Sequence, residues 1–276
     1  MSYSRILTVQ DISCVGQCSL TVALPIISAC GHETCVLPSA VLSTHTGGFS
    51  GYTFRDLTED MPKILAHWQK EDLSFDALYT GYLGSAKQIE YVLDIARTVL
   101  RKDGRLIVDP AMADNGKLYP GFDNAFVREM RSLCAKAGIL LPNITEACLL
   151  SGTEYREEYD RAYIDSLLAA LSKDFHGTIV LTGVSYAPDK TGVVVFENGV
   201  YSYYEHERIT GGYHGTGDVY ASAFTGALMG GRSVFDSARI AADYTVASIL
   251  ETRDDPTHRY GVKFEKAIPK LLSLLG

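Results

Sequence analysis

Short apolar runs alternate with amphipathic stretches from one end of the chain to the other, the pattern of strands buried in a mostly parallel sheet and covered by helices. Arg5 to Gln10 reads as the first strand, and Ser19 to Cys30 as a helix that Gly31 closes as a left-handed C-terminal residue. Glu33 to Leu37 predicts a second strand, Thr58 to Gln69 a helix, and Ala77 to Thr80 a third strand. Ser85-Ala86-Lys87-Gln88 has the form of a capping box that opens another helix. Leu106–Val108, Ile139–Leu141 and Thr178–Leu181 are short apolar runs suited to buried strands, and Gly192 to Tyr204 reads as a hairpin turning at Asn198-Gly199. The remainder, from Gly217, predicts three helices with a break at Arg253 to Thr257 and no strand after residue 210.

Polar groups follow several of these strands directly. Asp109-Pro110-Ala111-Met112-Ala113-Asp114 follows one, Pro142-Asn143-Ile144-Thr145-Glu146 the next, and Thr182-Gly183 the one after that. In an open α/β sheet the carboxyl ends of the strands form the rim where ligands bind. Asp109, Asp114 and Glu146 therefore become candidate oxygen ligands for Mg2+, which takes one or two carboxylates together with water and phosphate oxygens. Asp109 before a proline also serves a turn, and Asn143 with Glu146 also serves as a helix cap. A long loop, Thr44 to Phe54, is rich in Gly, Thr and aromatic residues and suits a ligand contact or a lid. It carries His45, and His214 lies in a second Gly-rich loop; either can polarise a substrate or simply face solvent. Tyr82 reads as a core aromatic or as a wall for a flat ring.

Gly215-Thr216-Gly217-Asp218, entering a helix of small residues, carries the most chemistry. Glycines let the backbone approach a ligand, and a helix start presents free N–H groups and a positive dipole end, which suits a phosphate. Asp218 would repel that phosphate unless it serves a hydroxyl acceptor by taking its proton, the pattern of phosphoryl transfer. Asp as a cap-type acid at an ordinary helix start is the competing reading. The chain has no G-x-x-x-x-G-K-[ST], no complete G-x-G-x-x-G and no H-R-D loop, which disfavours a P-loop ATPase, a Rossmann dehydrogenase and a protein kinase.

Composition narrows the classes further. The 276 residues are 46% hydrophobic and 21% charged, an ordinary globular composition read here as one domain over 1–276. A formal charge of -8 argues against nucleic acid as a partner, and a polyanionic ligand would need Mg2+ as mediator. Residues 12–31 are free of charged side chains but are interrupted by Ser, Gln, Thr and Pro, so no membrane span is expected; the N-terminus does not read as a signal peptide, and the expected setting is cytoplasmic. Six cysteines without a C-x-x-C pair read as buried free thiols rather than a zinc site.

Together the segments Thr44-His45-Thr46, Thr80 to Ser85, Asp109 to Tyr119, Pro142 to Glu146 and Gly215 to Asp218 resemble the vitamin B6 kinases of the ribokinase-like superfamily, over nearly the whole chain. The resemblance implies a three-layer α/β/α sandwich, commonly a homodimer, with a loop that closes over the site. It also implies ATP-dependent phosphorylation of the 5'-hydroxymethyl group of pyridoxal, pyridoxine or pyridoxamine. Asp218 would then be the base, with the amides of Gly215, Thr216 and Gly217 as the anion hole. Asp109, Asp114 and Glu146 would serve Mg2+ and its waters, and Asp109, Asp114, Thr182, Gly183 and Thr216 the nucleotide. Thr46 and Tyr82 would line the ring pocket, and a monovalent cation such as K+ is a further candidate cofactor. Several B6 kinases have Ser where this chain has Asp11, which instead resembles the hydroxymethylpyrimidine kinases of thiamin synthesis, the alternative within the class. An Asp there pairs with a protonated ring nitrogen or a substrate amine. Sugar or nucleoside kinases, and a binding protein on the same scaffold, are the remaining readings.

Overall fold

The computed structural model describes residues 3–276. Nine strands form one sheet: β1 (Arg5–Ser13), β2 (Glu33–Leu42), β3 (Phe54–Asp56), β4 (Phe75–Thr80), β5 (Leu100–Val108), β8 (Ile139–Leu140), β9 (Thr178–Val184), β10 (Lys190–Glu197) and β11 (Val200–Glu207), while β6 (Ala113–Asp114) and β7 (Lys117–Leu118) pair apart from it. The order across the sheet is β11-β10-β9-β8-β5-β4-β1-β2-β3. The six strands from β9 to β2 run parallel, and β3, β10 and β11 add antiparallel edges.

Both faces of the parallel strands are covered, which is why they read as nearly unbroken apolar runs. Ile6, Ala77, Tyr79, Ile107, Ile139 and Val180 face one core, closed by α1 (Leu20–Ala29), α7 (Thr216–Met229), α8 (Val234–Thr252) and α9 (Phe264–Leu275). Their neighbours in sequence, such as Leu7, Leu78, Leu106, Val108 and Leu140, face the opposite core. That one is closed by α2 (Met61–Lys70), α3 (Ala86–Thr98), α4 (Asn124–Cys134), α5 (Ile144–Ser151) and α6 (Arg161–Leu171). The expected three-layer α/β/α sandwich is the fold observed. No helix among the described residues is long and apolar enough to cross a membrane.

Several boundaries differ from the sequence reading for local reasons. Strand β2 runs on to Leu42 because β1 and the edge strand β3 pair with it, and Phe54 thus belongs to a strand rather than to the loop before it. Thr58 does not begin α2; its N–H and hydroxyl donate to Asp56 Oδ1 at 2.8 and 2.6 Å, holding a turn before the helix starts at Met61. Strand β5 begins at Leu100, its charged first half lying on the exposed end of the sheet. The β6–β7 hairpin escaped the sequence reading although its Asn115-Gly116 turn, with φ of 50° and 75°, is a strong local signal.

The capping box at Ser85 forms by half. Ser85 Oγ accepts from the Gln88 N–H at 3.3 Å, but Gln88 Oε1 reaches past the cap residue to the N–H of Gly84 at 2.7 Å. Gln88 Nε2 meanwhile donates to Ser39 O at 3.1 Å and Thr58 Oγ1 at 2.9 Å, so one buried amide ties β2, the turn before α2 and the start of α3 together. Gln88→Leu leaves those partners unsatisfied inside the protein, and a urea titration should show a loss of about 2–3 kcal/mol.

Helices α1 and α7 approach closely at a notch. A Cβ on Gly226 would stand 2.4 Å from Cys30 Sγ, and the Gly226 carbonyl lies 3.0 Å from His32 Nε2. At the other end of the same pair of helices, Gln17 before α1 lies against Gly215 before α7.

Candidate active site

Asp11 sits where the pairing of β1 with β2 slips between Gln10 and Ile12, an irregularity that re-aims a side chain at a strand end. It is 5% exposed and has no cationic partner among the described residues. Burial raises its pKa above the usual carboxylate range, opposed by the hydroxyls of Ser19 and Ser13, the latter donating to Oδ2 at 3.3 Å. The Tyr82 phenol, half-buried after β4, is pushed up by burial and then by the charges of Asp11 and Tyr52, which places these three groups together. Tyr82 also packs on Phe122 with ring centroids 5.5 Å apart. Thr46 is exposed, in a loop bound to the Gly-rich turn by the edge-on contact of His45 and His214, whose centroids are 5.5 Å apart. Burial, then the charge of His214, lowers the pKa of His45. The contact brings the two loops together, with His45 half-buried and His214 exposed.

The anion turn is built from two unlike glycines. Gly215, the residue before α7, has φ 73°, and a Cβ there would lie 1.9 Å from Gln17 O. Gly217 has no such need: its φ is not left-handed, and nothing lies within 4 Å of where its Cβ would be. A glycine in the first helical turn lowers helix stability by about 0.5–1 kcal/mol, so the open space beside it is the feature that a ligand approaching the backbone would use. Asp218, on the same turn, is partly buried. Burial pushes its pKa up to about 7, aided by the charge of Asp11 and opposed by the Ser19 N–H.

Deeper along the rim, Asp109 and Glu146 are drawn together. Burial, then the charges of Glu146 and Asp218, holds the Asp109 carboxyl well above its ordinary range. Asp109 Oδ1 accepts from the Ala111 N–H at 3.1 Å, so the turn-forming role is real as well. Glu146 completes the capping box with Asn143, taking the Asn143 N–H on Oε2 at 2.9 Å and the Met112 N–H on Oε1 at 2.9 Å. Burial nonetheless pushes its pKa up to about 7.

Among the described residues, Asp109, Glu146 and Asp218 form no ion pair, so a cation that entered here would meet no competing partner. Three groups among the described residues do not converge tightly enough to cage a metal alone. Such a donor set fits Mg2+ shared with phosphate oxygens and water, with the amide-bound Glu146 acting through a water.

Beside these carboxylates opens a cavity of about 540 Å3, lined among others by Asp114, Asn143, Tyr159, Thr182, Gly183 and Arg208. Thr182 is fixed by its N–H and hydroxyl, which donate to Pro142 O at 2.9 and 3.3 Å. Asp114 is exposed and accepts from the N–H of Asn115 at 2.8 Å. The structure thus brings Asp114, Thr182 and Gly183 together in the cavity lining, which includes none of Asp109, Glu146, Asp218 and Asp11. The sequence reading missed the tyrosine wall of Tyr155, Tyr159 and Tyr186, and it missed Arg208, the single cation in the lining. They come from three separate connections, Tyr155 and Tyr159 between α5 and α6, Tyr186 between β9 and β10, and Arg208 after β11, so no local pattern announced them.

Residues 26–261 match the model of the phosphomethylpyrimidine kinase family. The chain belongs to this family. Among solved structures, a candidate phosphomethylpyrimidine kinase from Bacteroides thetaiotaomicron, in a form with pyridoxal, is 37% identical, covering 98% of this kinase and 96% of that chain with a TM-score of 0.91. The pyridoxal kinase of Lactobacillus plantarum is 33% identical with a TM-score of 0.91, over 99% and 98% of the two chains. A pyridoxine/pyridoxal/pyridoxamine kinase from Bordetella bronchiseptica is 26% identical over 265 residues, 90% of this kinase and 89% of its relative.

Proposed function

We propose that this kinase transfers the γ-phosphoryl group of ATP to the 5'-hydroxymethyl group of pyridoxal, pyridoxine or pyridoxamine. The observation that carries this reading is Asp218, a carboxyl with a pKa near neutrality beside the open backbone cradle of Gly217. A base poised near the working pH accepts the proton of an alcohol as it attacks. The N–H groups of Thr216 and Gly217, at the positive end of α7, receive the negative charge that develops on the phosphoryl oxygens. The nucleotide occupies the cavity along Asp114, Thr182 and Gly183. Asp109, with Glu146 acting through water, would hold Mg2+, which would supply neutralisation of the phosphate charge. Asp11, Tyr82 and Thr46 hold the ring end. The same proposal takes residues 1–276 as one kinase domain acting as a cytoplasmic homodimer, with K+ as a further ion to test.

Asp11 favours one second reading, a hydroxymethylpyrimidine kinase, since a buried carboxylate suits a substrate amine or a protonated ring nitrogen. The deciding experiment measures ATP consumption with Mg2+ and each vitamer or hydroxymethylpyrimidine across pH 5–9. Turnover of a vitamer above that of the pyrimidine is expected. Because Asp218 must be ionised to act, kcat/KM should rise with pH through about 7 and level off above it. Turnover of the pyrimidine alone would establish the second reading, and an acid limb well below pH 6 would remove Asp218 from the base's role.

A further inference from the structure

Tyr82 does not stand alone at the end of β4. Its ring packs on Phe122 with centroids 5.5 Å apart and planes 30° from parallel, and Phe122 in turn lies face to face on Phe126, 3.9 Å away with planes 6° apart. Phe126 is 6% exposed, in the first turn of α4, and belongs to the core closed by α2 to α6. The rings therefore run outward from that core to the half-buried Tyr82, whose other neighbours include Asp11 and Tyr52.

The middle ring is fixed from both sides along the chain. Before it, the Tyr119 N–H donates to Met112 O at 2.9 Å, extending the β6–β7 hairpin, and the Phe122 N–H donates to Tyr119 O at 3.2 Å. After it, Asp123 Oδ1 accepts from the N–H groups of Ala125 and Phe126 at 2.9 and 3.0 Å and caps α4. The hairpin itself is held to the start of α5, where Asn143 Nδ2 donates to Ala113 O at 2.8 Å and the Gly116 N–H donates to Thr145 Oγ1 at 3.0 Å. Tyr82 lies in the link from β4 to α3, so the orientation of its ring is set by what packs on it.

We infer that Phe122 is a positioning residue of substrate recognition, holding Tyr82 as a fixed flat wall for the substrate ring. The inference rests on the ring-end role given to Tyr82 above. A tyrosine immobilised in the free protein spares the binding step the cost of ordering that side chain, worth several-fold in affinity. The wall meets the ring alike in the ground state and in the transition state, so the effect falls on KM rather than on kcat.

Phe122→Leu keeps an apolar side chain on Phe126 but removes the ring behind Tyr82. With Mg-ATP and the preferred hydroxymethyl substrate, KM for that substrate should rise about fivefold while kcat and KM for ATP stay within about twofold of the wild type. Tyr82→Leu should raise the same KM about tenfold, and adding Phe122→Leu to it should cost less than about twofold more, because a residue that acts through Tyr82 then has nothing left to act on. An unchanged substrate KM in Phe122→Leu, a fall in kcat as large as the rise in KM, or the full rise repeated in the Tyr82→Leu background would overturn the inference. Melting temperatures of the same variants give a reading that needs no turnover: the losses of the two single variants should sum to about 2 °C more than the loss of the double variant. Additive losses would remove the pinned wall whatever the activity. If the wild-type protein phosphorylates neither a vitamer nor the pyrimidine, the functional reading fails by itself, and the melting cycle still decides whether Phe122 holds Tyr82.

Discussion

Asp218→Asn should lower kcat by about two orders of magnitude or more while leaving nucleotide binding in place, because the amide preserves shape but accepts no proton. The same substitution should make the protein more stable. A carboxyl whose pKa rises from 3.8 to about 7 on folding binds its proton more tightly in the native state. Stability therefore falls as pH climbs from about 4 to about 7, and the full cost of ionising the group is present above that window. Asparagine carries no such cost, so at pH 8 the variant should gain about 1–3 kcal/mol, and at pH 4 the gain should vanish. Kinetics, nucleotide titration and melting at the two pH values test the combination. Near-normal turnover would end the assignment of Asp218 as base, and a stability gain independent of pH would show that its ionisation is not costly.

Gly215→Ala should be the most damaging single methyl group in the chain. The residue has φ 73°, which costs an alanine about 1 kcal/mol, and the new Cβ would stand 1.9 Å from Gln17 O, a backbone atom that cannot rotate away. Either the loop bearing Ser19 or the start of α7 must move. The expected result is a loss of about 3 kcal/mol or more in urea unfolding, with turnover falling at least a hundredfold even in molecules that remain folded. Gly217→Ala is the matched control, since its Cβ meets no protein atom: it should fold normally and lose activity through the nucleotide alone.

Much of this site was legible in the sequence because the relevant residues stand directly after strands or before helices. Asp109, Glu146, Thr182 and Asp218 are singled out by that placement, and the first three follow the neighbouring strands β5, β8 and β9 or lie in them. What stayed hidden depends on pairs far apart in the chain. Nothing near Gly215 announces that Gln17 presses against it, and nothing near Ser19 announces a left-handed backbone. Gln88 was placed correctly as an N3 residue, but its true partners, Ser39 and Thr58, are 49 and 30 positions away. The short hairpin at Asn115-Gly116 is a different case, since its turn signal lies in the sequence itself. Glu146 shows that competing readings need not exclude each other: the same side chain caps α5 and contributes charge to the site.

The notch between α1 and α7 gives the protein a built-in chemical clock. Cys30 fills the space left by Gly226, and burial pushes its thiol pKa up to about 12, so a reagent in solution meets neither the atom nor its reactive anion in the native state. An adduct on that sulfur can form only while the two helices stand apart, and those helices carry Ser19 and Asp218 on their first turns. The rate at which Cys30 is labelled in native protein therefore counts how often α1 and α7 part at the notch.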